Sequence, residues 1–343
     1  MSVTKKVLIL GGGGFIGSSI AKFLLEERDY QVTVVDNFSR GNKAISDVFN
    51  SFEKKGRLIS LNLDLTEPES FKKLHDNYDY VFVLAALVGV DKVNKIPHEV
   101  IRINTSITMN VLEWLTNASC KRVLFSSTSE NYAGTVEKFD YKIPTDESVP
   151  LTIEDISHPR FSYAVTKILG ESGFINYSRA EFFESVIVRY HNVYGPNMGF
   201  RHVIPHLIER FSKNENPLKI YGHDQTRSFN YISDAVEGTV LAIEKGKDRS
   251  IYHIGSEDEI SIKDLTKFIG ELMNYKGEYR DAETFPGSVS RRCPEISKAK
   301  KDLGYSPKIH WQDGVLKTVD WYKLHLSSNE NTESFYDQYG VKS

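Results

Sequence analysis

The sequence predicts an α/β protein in which a doubly wound parallel sheet is followed by a smaller C-terminal α+β lobe. Three observations carry this prediction. Short apolar runs alternate with helical patterns through the first half of the 343-residue chain. A cluster of glycines stands between the first apolar run and the first helical pattern. After about residue 190, prolines divide the chain into shorter segments, which indicates a change of architecture.

Six apolar runs are predicted to be buried strands, because both of their faces are apolar, as in a sheet covered on both sides. They span residues 7–10, 32–36, 58–64, 80–86, 123–127 and 186–190. Residues 15–27, 104–116 and 163–177 repeat apolar side chains every three or four positions, which predicts amphipathic helices. Parallel strands joined by such helices need right-handed crossovers, so the alternation predicts a doubly wound sheet.

The shorter, proline-divided segments after about residue 190 predict a domain boundary there. Residues 1–190 form the first domain, residues 191–326 the smaller lobe and residues 327–343 a polar tail. A strand-like segment at 250–255 suggests that parts of 228–255 return to the main sheet.

Charge and cysteine content exclude several classes of protein. The formal net charge is −3, so no basic excess exists to release counterions from DNA or RNA, and we expect no nucleic-acid partner. The chain has no apolar run of roughly 18 residues, which would be needed for a membrane span. Its first apolar run, 7–10, is too short for a signal peptide. Cys120 and Cys293 carry no C-x-x-C spacing, which fits a cytoplasmic protein.

The strongest local signal is GGGGFIG, which directly follows the strand at 7–10 and precedes a helix. Glycines here permit a turn that a Cβ forbids, let a pyrophosphate approach the backbone and let helix and strand pack closely. The N–H groups and dipole of the helix N-terminus then favour a phosphate. The pattern therefore predicts a dinucleotide site that includes Gly11, Gly14, Phe15, Ile16 and Gly17.

Asp36 ends the second predicted strand, nineteen residues after Gly17. A carboxylate there accepts hydrogen bonds from the adenosine ribose hydroxyls and repels a 2′-phosphate, so NAD is the expected cofactor in preference to NADP. Arg40 is near enough to weaken that preference. A flavin or S-adenosylmethionine site is the alternative for the same turn.

Tyr163 and Lys167 lie four residues apart and therefore on one face of a predicted helix. Thr128 follows the strand at 123–127, whose carboxyl end faces the ligand crevice of a doubly wound sheet. The unperturbed pKa of tyrosine is about 10, and a neighbouring Lys⁺ and a positive nicotinamide ring both lower it. Tyr163 is thus the candidate base for a substrate hydroxyl, and Thr128 is the candidate hydrogen-bond partner of the same oxygen.

With these motifs in order, the chain resembles the extended short-chain dehydrogenase/reductases, specifically the nucleotide-sugar epimerase, dehydratase and decarboxylase group. The resemblance runs from residue 5 to about residue 322. Its further marks are VVDNFSRG around Asp36, SSTSE at 126–130, RYHNVYGP at 189–196, RSFNYISDA at 227–235 and RRCPEISKAKKDLGYSPK at 291–308. It implies a Rossmann NAD-binding domain, a nucleotide-sugar lobe, a role in polysaccharide biosynthesis and a homodimer. The dimer helices would be 104–116 and 163–177, whose apolar positions fit an ordinary core equally well.

The resemblance also assigns roles residue by residue. It implies further NAD contacts by Asn37, Asp64, Leu65, Leu84, Ala85, Ala86 and Asn104, beside Tyr163 and Lys167. It implies that Asn192 contacts the substrate diphosphate and that Arg227 and Arg292 grip the nucleotide end, a task that suits guanidinium groups. No metal site is expected: His202 and His206 have Pro205 between them and no third ligand.

The family's reactions pass through a 4-keto sugar, which leaves epimerisation, dehydration and decarboxylation open. Glu130 belongs to a Thr-Ser-Glu run that resembles that of uronate decarboxylases and some 4,6-dehydratases, so it is a candidate acid/base at C5. A structural carboxylate is the alternative role. Ser129 stands where dehydratases with an Asp-Glu pair have an acid. A plain C4 epimerase needs only Thr128, Tyr163 and Lys167.

Two other hypotheses stay open from the sequence alone. One is a net oxidoreductase on a nucleotide sugar, either a keto-sugar reductase or a C4 dehydrogenase, and the other is a catalytically silent NAD-sensing scaffold. Four residues depart from the family's usual pattern, namely Leu10, Asn131, Ala133 and Glu295. The stretch from 128 to 163 is also longer than in simple epimerases, so a substrate cannot be transferred from any one relative.

Overall fold

The computed structural model describes residues 4–39, 49–199, 202–284 and 289–328. Arg40 and residues 329–343 of the predicted tail lie outside these ranges. Residues 327 and 328 of that tail belong to the last helix, which ends at Ser328.

The described chain contains strands and helices in the alternation that the sequence predicts. The strands are β1 Lys6–Leu10, β2 Gln31–Asp36, β3 Leu58–Asn62, β4 Asn77–Val83, β5 Ser119–Thr128, β6 Glu184–Tyr190, β7 Val193–Tyr194, β8 Leu218–Tyr221, β9 Thr226–Ser228, β10 Asn230–Tyr231, β11 Ser250–Ile254, β12 Glu259–Ser261, β13 Tyr279–Ala282 and β14 Arg291–Arg292. The helices are α1 Phe15–Glu27, α2 Val90–Lys95, α3 Pro97–Leu115, α4 Ala133–Phe139, α5 Phe161–Arg179, α6 Val203–Ser212, α7 Ile232–Lys245, α8 Ile262–Leu272, α9 Ser297–Leu303 and α10 Trp311–Ser328. Short 3-10 turns span Pro68–Lys73 and Ser129–Tyr132.

The main sheet has seven strands in the order β11-β6-β5-β4-β1-β2-β3. All neighbouring strands in it run parallel. The strand order reverses between β1 and β4, and in such sheets ligands bind at the carboxyl ends of the strands beside this point. The predicted Rossmann-type, doubly wound fold is confirmed.

The two faces of β1 show why its residues are apolar throughout. Successive side chains of a strand point to opposite faces. Val7 and Ile9 belong to one hydrophobic cluster, which includes Ile20 of α1. Leu8 and Leu10 belong to a second cluster, which is formed with residues of α3 such as Val111 and Leu112. The sheet is therefore buried on both sides, as its composition requires.

Several predicted boundaries are wrong: the strands predicted at 58–64 and 123–127 span Leu58–Asn62 and Ser119–Thr128, and two other elements differ as well. The fourth strand was predicted at 80–86, but β4 ends at Val83 because the N–H groups of Leu84 and Ala85 both donate to the carbonyl of Leu10, at 2.8 and 2.9 Å. The helix predicted from residue 104 begins instead at Pro97. Proline suits the first turn of a helix because its φ is already helical and it has no N–H that would need a partner.

After β6 the chain leaves the main sheet and later returns to it. Strand β11 pairs with β6 in register from Ser250 against Val186 to Ile254 against Tyr190. Outside the main sheet, β9, β12 and β14 form a three-stranded sheet. The parallel pairing of β14 with β9 sets Arg292 opposite Arg227.

Helix α5 lies close to the sheet because it has a glycine where it crosses β5. A Cβ on Gly170 would be 2.2 Å from Cζ of the Phe125 ring. A Cβ on Gly173, three residues further along the same helix, would meet only the flexible end of Leu112, at 2.8 Å.

We expect Gly170→Ala to be less stable than Gly173→Ala by about 1–3 kcal/mol, the usual cost of overpacking a core. The gain in helix propensity is the same for both substitutions and cancels in the comparison. Urea unfolding of the two variants measures the difference in the free energy of unfolding. Equal stabilities would contradict the close helix–sheet contact.

Candidate active site

The glycine turn between β1 and α1 has no room for side chains. Gly11 has φ +88°, and a Cβ there would be 2.5 Å from the backbone N of Ala85. A Cβ on Gly17 would be 2.3 Å from the carbonyl oxygen of Gly11. Gly14 is the N-cap of α1 and has no side chain that could cap the helix. The first helical N–H groups, those of Phe15 and Ile16, therefore face the crevice without a capping hydrogen bond. This cradle fits a pyrophosphate.

Asp36, at the carboxyl end of β2, braces the glycine turn. One carboxylate oxygen accepts a hydrogen bond from the N–H of Gly13 at 3.0 Å, and the other accepts one from the N–H of Phe38 at 2.8 Å. Each oxygen keeps a second lone pair for a ribose hydroxyl. Asn37 follows, and its Oδ1 accepts from the N–H of Ser39 at 3.1 Å.

The residues predicted to border the cofactor after β3 and β4 divide into exposed and buried groups. Asp64 is exposed, and its carboxylate accepts hydrogen bonds from the N–H and hydroxyl of Thr66. Leu65 is 5% exposed and its side chain belongs to the core, so it offers chiefly its backbone. Leu84, Ala85 and Ala86 are half-buried at the carboxyl edge of the sheet.

Asn104 is buried and holds the loop that follows β4. Its Oδ1 accepts from the N–H of Leu87 at 2.6 Å. Its Nδ2 donates to the carbonyl of Leu87 at 3.2 Å and to the hydroxyl of Thr166 at 3.3 Å. Through these hydrogen bonds, Asn104 joins α3 to this loop and to α5, and we call it a clamp for that reason.

The structure brings Thr128, Tyr163 and Lys167 to the same edge of the sheet. Lys167 is 4% exposed, and its Nζ donates to the carbonyl of Ser126, on β5, at 2.7 Å. The same Nζ lies 5.8 Å from the centre of the Tyr163 ring. Thr128 ends β5, and its hydroxyl accepts from the N–H of Glu130 at 3.2 Å.

Burial lowers the pKa of Lys167 to about 7, and the carboxylate of Glu171 opposes this shift. The ammonium group therefore changes its protonation state near neutral pH. It supplies positive charge beside the Tyr163 phenol in a site shielded from water, where such charge acts strongly.

A buried ion pair, which was not predicted from the sequence, lies next to these residues. Arg189 and Glu171 are 2% and 5% exposed at the side chain, and the guanidinium binds both carboxylate oxygens, at 2.8 and 2.7 Å. The same carboxylate accepts from the hydroxyl of Ser127 at 2.5 Å and from the amide of Asn131 at 2.9 Å. Glu171 follows Lys167 by one helical turn, and this spacing was the available signal.

Glu130 lies between two arginines. Its Oε1 accepts from Arg292 at 2.5 Å and its Oε2 from Arg160 at 3.1 Å. Burial alone would raise the pKa of Glu130, but the charges of Arg292 and Arg160 outweigh it and lower the pKa to about 2. Arg160 is not among the residues predicted from the sequence; it directly precedes α5 and stands three residues before Tyr163.

Asn192 and Arg227 hold backbone segments of the smaller lobe in this structure. Asn192 has φ +36°, and its Nδ2 donates to the carbonyl of Ser228 at 2.8 Å. Arg227 donates to the carbonyls of Thr226, Val289 and Ser290, which fixes the segment that leads to Arg292. Burial lowers the pKa of Arg227 to about 10, and the nearby Arg292 adds to the shift.

Two features are absent from residues 4–39, 49–199, 202–284 and 289–328. Within them, no helix is long and apolar enough to cross a membrane. In the same ranges, no three His, Cys, Asp or Glu side chains gather as a set of metal ligands, and the N–H of His206 donates to the carbonyl of His202 within one helical turn.

A parallel sheet, a glycine cradle and a Tyr–Lys pair at the carboxyl edge together define a dinucleotide-dependent enzyme. The chain belongs to the NAD dependent epimerase/dehydratase family, whose model matches residues 7–255. This match confirms the predicted family, NAD as the cofactor and an enzyme of the isomerase or lyase type. It disfavours the flavin and S-adenosylmethionine alternatives.

Curated relatives and solved structures cover nearly the whole chain. A UDP-N-acetyl-alpha-D-glucosaminuronate decarboxylase of Bacillus cytotoxicus is 33% identical over 330 residues, which is 93% of this chain and 98% of the relative. A dTDP-D-glucose 4,6-dehydratase of Mus musculus is 29% identical, over 99% of this chain and 95% of its own. The structure of a UDP-glucuronic acid 4-epimerase from Bacillus cereus, with UDP-glucuronic acid and NAD, superposes with a TM-score of 0.82 at 28% identity, over 93% of this chain and 99% of that one.

Replacing Tyr163 with Phe removes the candidate base and leaves the ring in place. We expect turnover to fall by about 10²- to 10⁴-fold, the usual contribution of a general base, with NAD affinity nearly unchanged. Tyr177→Phe, at the far end of the same helix, is the control and should keep full activity. Normal turnover by Tyr163→Phe would exclude the phenol as the base.

Replacing Glu171 with Gln leaves the buried guanidinium of Arg189 without its counter-charge. We expect a loss of about 3–5 kcal/mol in the free energy of unfolding, as is typical when one member of a buried pair is removed. The exposed pair of Lys72 and Glu69 provides the comparison. There, Glu69→Gln should change stability by no more than about 1 kcal/mol. Similar losses in both variants, measured by denaturant unfolding, would contradict a special role for the buried pair.

Proposed function

We propose that this protein converts a nucleotide sugar whose sugar carries a C5 carboxylate, and that it removes this carboxylate as CO2 after oxidising C4. The observation that carries the proposal is the cluster of Arg160, Glu130 and Arg292 next to Thr128. Two guanidinium groups and one carboxylate leave one net positive charge. A site with this charge favours an anionic group on the sugar over a neutral hydroxymethyl group.

The first step is oxidation at C4. The Tyr163 phenolate takes the proton of the C4 hydroxyl, while the Thr128 hydroxyl hydrogen-bonds the same oxygen and fixes its position. Lys167, buried beside the phenol, stabilises the phenolate by its charge. NAD, held by the glycine turn and Asp36, would supply the hydride acceptor for oxidation at C4 and the hydride donor for the final reduction.

The second step is loss of the carboxylate. A C4 ketone lies β to the C5 carboxylate, so the electron pair of the breaking C5–C6 bond passes into the C4 carbonyl as CO2 leaves. A proton from water added at C5 restores the ketone. As hydride then adds to C4, protonated Tyr163 gives its proton to the C4 oxygen. The pKa of Glu130 is lowered to about 2. Because Glu130 is therefore ionised at neutral pH, we assign it the task of orienting Arg160 and Arg292 rather than that of donating the C5 proton.

Epimerisation of a uronate at C4 is the second candidate function. It needs the same Tyr163, Thr128 and Lys167, and the same arginines would hold the carboxylate while the ketone turns over. The structural similarity to a UDP-glucuronic acid 4-epimerase favours it specifically. Dehydration is disfavoured because Ser129, which is 3% exposed, carries no acid for a leaving hydroxyl.

The remaining expectations from the sequence are proposals of the same kind. We infer that residues 1–190 with β11 bind NAD, that Asn192 contacts the substrate diphosphate and that Arg227 lies at the nucleotide end within 191–326. Arg292 was expected at the nucleotide end as well, but we assign it to the sugar because it binds Glu130 beside Thr128. We infer a homodimer through α3 and α5, which pack on each other and expose the apolar side chains of Ile101, Met109 and Leu169. Two buried, unpaired cysteines, Cys120 and Cys293, are compatible with the reducing cytoplasm.

Incubation with UDP-, dTDP-, GDP- and CDP-linked sugars, each as the neutral hexose and as the uronate, tests the proposal by product mass. We expect loss of CO2 from a uronate without consumption of added NAD. Arg160→Gln should raise KM for the uronate about tenfold, a loss of about 1.4 kcal/mol. Arg179→Gln, at the exposed end of the same helix, is the matched control.

Other products would each overturn the decarboxylase assignment in a distinct way. An isomer of unchanged mass would establish the epimerase, and loss of water would establish a dehydratase. Stoichiometric oxidation or reduction of added cofactor would establish a net oxidoreductase. Equal turnover of neutral and carboxylated sugars would remove the argument from the two arginines.

A further inference from the structure

A buried amide lies between the turn that carries Glu130 and the ion pair of Glu171 and Arg189. This amide belongs to Asn131, which directly follows Glu130 in the turn Ser129–Tyr132 and is 0% exposed. Asn131 is also one of the residues at which the chain departs from the family's usual pattern. Neither the cofactor site nor the proposed reaction uses this side chain.

Both amide hydrogens of Asn131 are engaged. Nδ2 donates to Oε1 of Glu171 at 2.9 Å and to Oγ of Ser127 at 3.0 Å. The hydroxyl of Ser127 in turn donates to the same Oε1 at 2.5 Å. Because an ionised carboxylate only accepts hydrogen bonds, the amide nitrogen must face Glu171, and Oδ1 lies on the far side of the amide.

The oxygen of this amide is left without a partner. Among the described residues, no donor forms a hydrogen bond with Oδ1 of Asn131, which is buried. A buried acceptor without a hydrogen bond destabilises the folded state, and native proteins contain few of them. Leucine has nearly the same shape as asparagine and carries no such acceptor. Packing alone therefore does not favour asparagine at this position.

The ion pair does not depend on the amide for its own hydrogen bonds. Oε2 of Glu171 accepts from Arg189, and Oε1 accepts from Arg189 and Ser127 as well as from Asn131. Without the Asn131 donor, both carboxylate oxygens are still hydrogen-bonded and the charge is still paired. What is lost is the direct link between the ion pair and the turn that carries Glu130.

This turn needs such a link because Glu130 is held from two directions. Its Oε1 accepts from Arg292 on β14, and its Oε2 accepts from Arg160 at the start of α5. Thr128, at the beginning of the turn, is already fixed, since β5 pairs with β6 as far as Thr128 opposite Tyr190. Glu130 lies beyond the end of this ladder.

We propose that Asn131 is a positioning residue for Glu130. Its amide attaches the turn to the buried ion pair and so fixes the carboxylate that orients the two arginines beside the sugar. The step at C5 depends on this attachment, whereas the step at C4, which uses Thr128 and Tyr163, does not. The statement about the two steps rests on the proposed function, but the placement of Glu130 does not.

The placement of Glu130 is tested first, without any substrate, in the variant Asn131→Leu. We expect this variant to unfold at the same urea concentration as the wild type or at a higher one, because the unpaired oxygen is lost together with the donors. In its crystal structure, we expect Glu130 to have lost its contact with Arg160 or with Arg292. A lower urea midpoint, or a structure that keeps both contacts, would overturn the proposal.

The effect on the reaction is tested by separating the two chemical steps. In Asn131→Leu, we expect the C5 step to slow by about 10- to 100-fold, the scale of effect for misplaced reacting groups. Oxidation at C4, followed by the transient absorbance of reduced nicotinamide, should keep the wild-type rate, so that the 4-keto sugar accumulates. Equal slowing of both steps, or of neither, would show that Asn131 does not act through Glu130.

Thr135→Val is the matched control for the loss of a buried hydrogen bond. Thr135 is 3% exposed on α4, three residues after the turn, and its hydroxyl donates to the carbonyl of Pro150. Valine has nearly the same shape as threonine, and the substitution does not touch the ion pair. Both steps should therefore keep their wild-type rates. A C5 step that slows as in Asn131→Leu would mean that any buried bond in this segment has the same effect, and the positioning role would be wrong.

The two sets of measurements distinguish failure of this inference from failure of the proposed function. If the wild-type protein decarboxylates no uronate, the proposed function fails. The urea midpoint and the crystal structure of Asn131→Leu then decide the role of Asn131 by themselves, because neither measurement needs a substrate.

Discussion

The buried ion pair of Glu171 and Arg189 is the constraint on which the rest of the site depends. One carboxylate on α5 binds a guanidinium on β6, a hydroxyl on β5 and an amide in the turn that follows β5. Helix α5, strand β5 and the turn after β5 also carry residues of the candidate site, namely Tyr163 and Lys167, Thr128, and Glu130. An unpaired charge at this depth costs several kcal/mol, so the four elements are held in one mutual arrangement. The ion pair thus holds α5, which carries Tyr163, against β5, which ends at Thr128.

Electrostatics in the site come from a few placed groups, because the chain as a whole is nearly neutral. Lys167 supplies a charge that burial makes sensitive to pH near neutrality. Arg160 and Arg292 share the carboxylate of Glu130, so the three side chains together carry a single positive charge. The glycine cradle adds backbone N–H groups for a pyrophosphate. Such local charge selects an anionic ligand without the broad basic surface that a nucleic acid requires.

The stretch between β5 and α5 connects the two halves of the site. Glu130 leaves the main sheet in a short turn, and Arg292 reaches it from the smaller lobe on β14. Arg227 contributes indirectly by holding the backbone before Arg292. The ion pair of Glu130 and Arg292 therefore joins the main sheet to the smaller lobe.

The sequence by itself determined the sheet, the glycine cradle, Asp36, and the Tyr163–Lys167 pair. These features follow from local sequence patterns. Continuous apolar runs predict buried strands, clustered glycines predict a turn, and a spacing of four residues places two side chains on one helix face. Only the tertiary structure decided that Arg292 binds Glu130, that Arg160 completes this pair, and that Asn104 is a buried clamp. These contacts join residues far apart in the chain, 162 positions for Glu130 and Arg292. Spacing predicts which side chains share a helix face, whereas contacts between distant segments depend on how strands, turns and lobe pack in three dimensions.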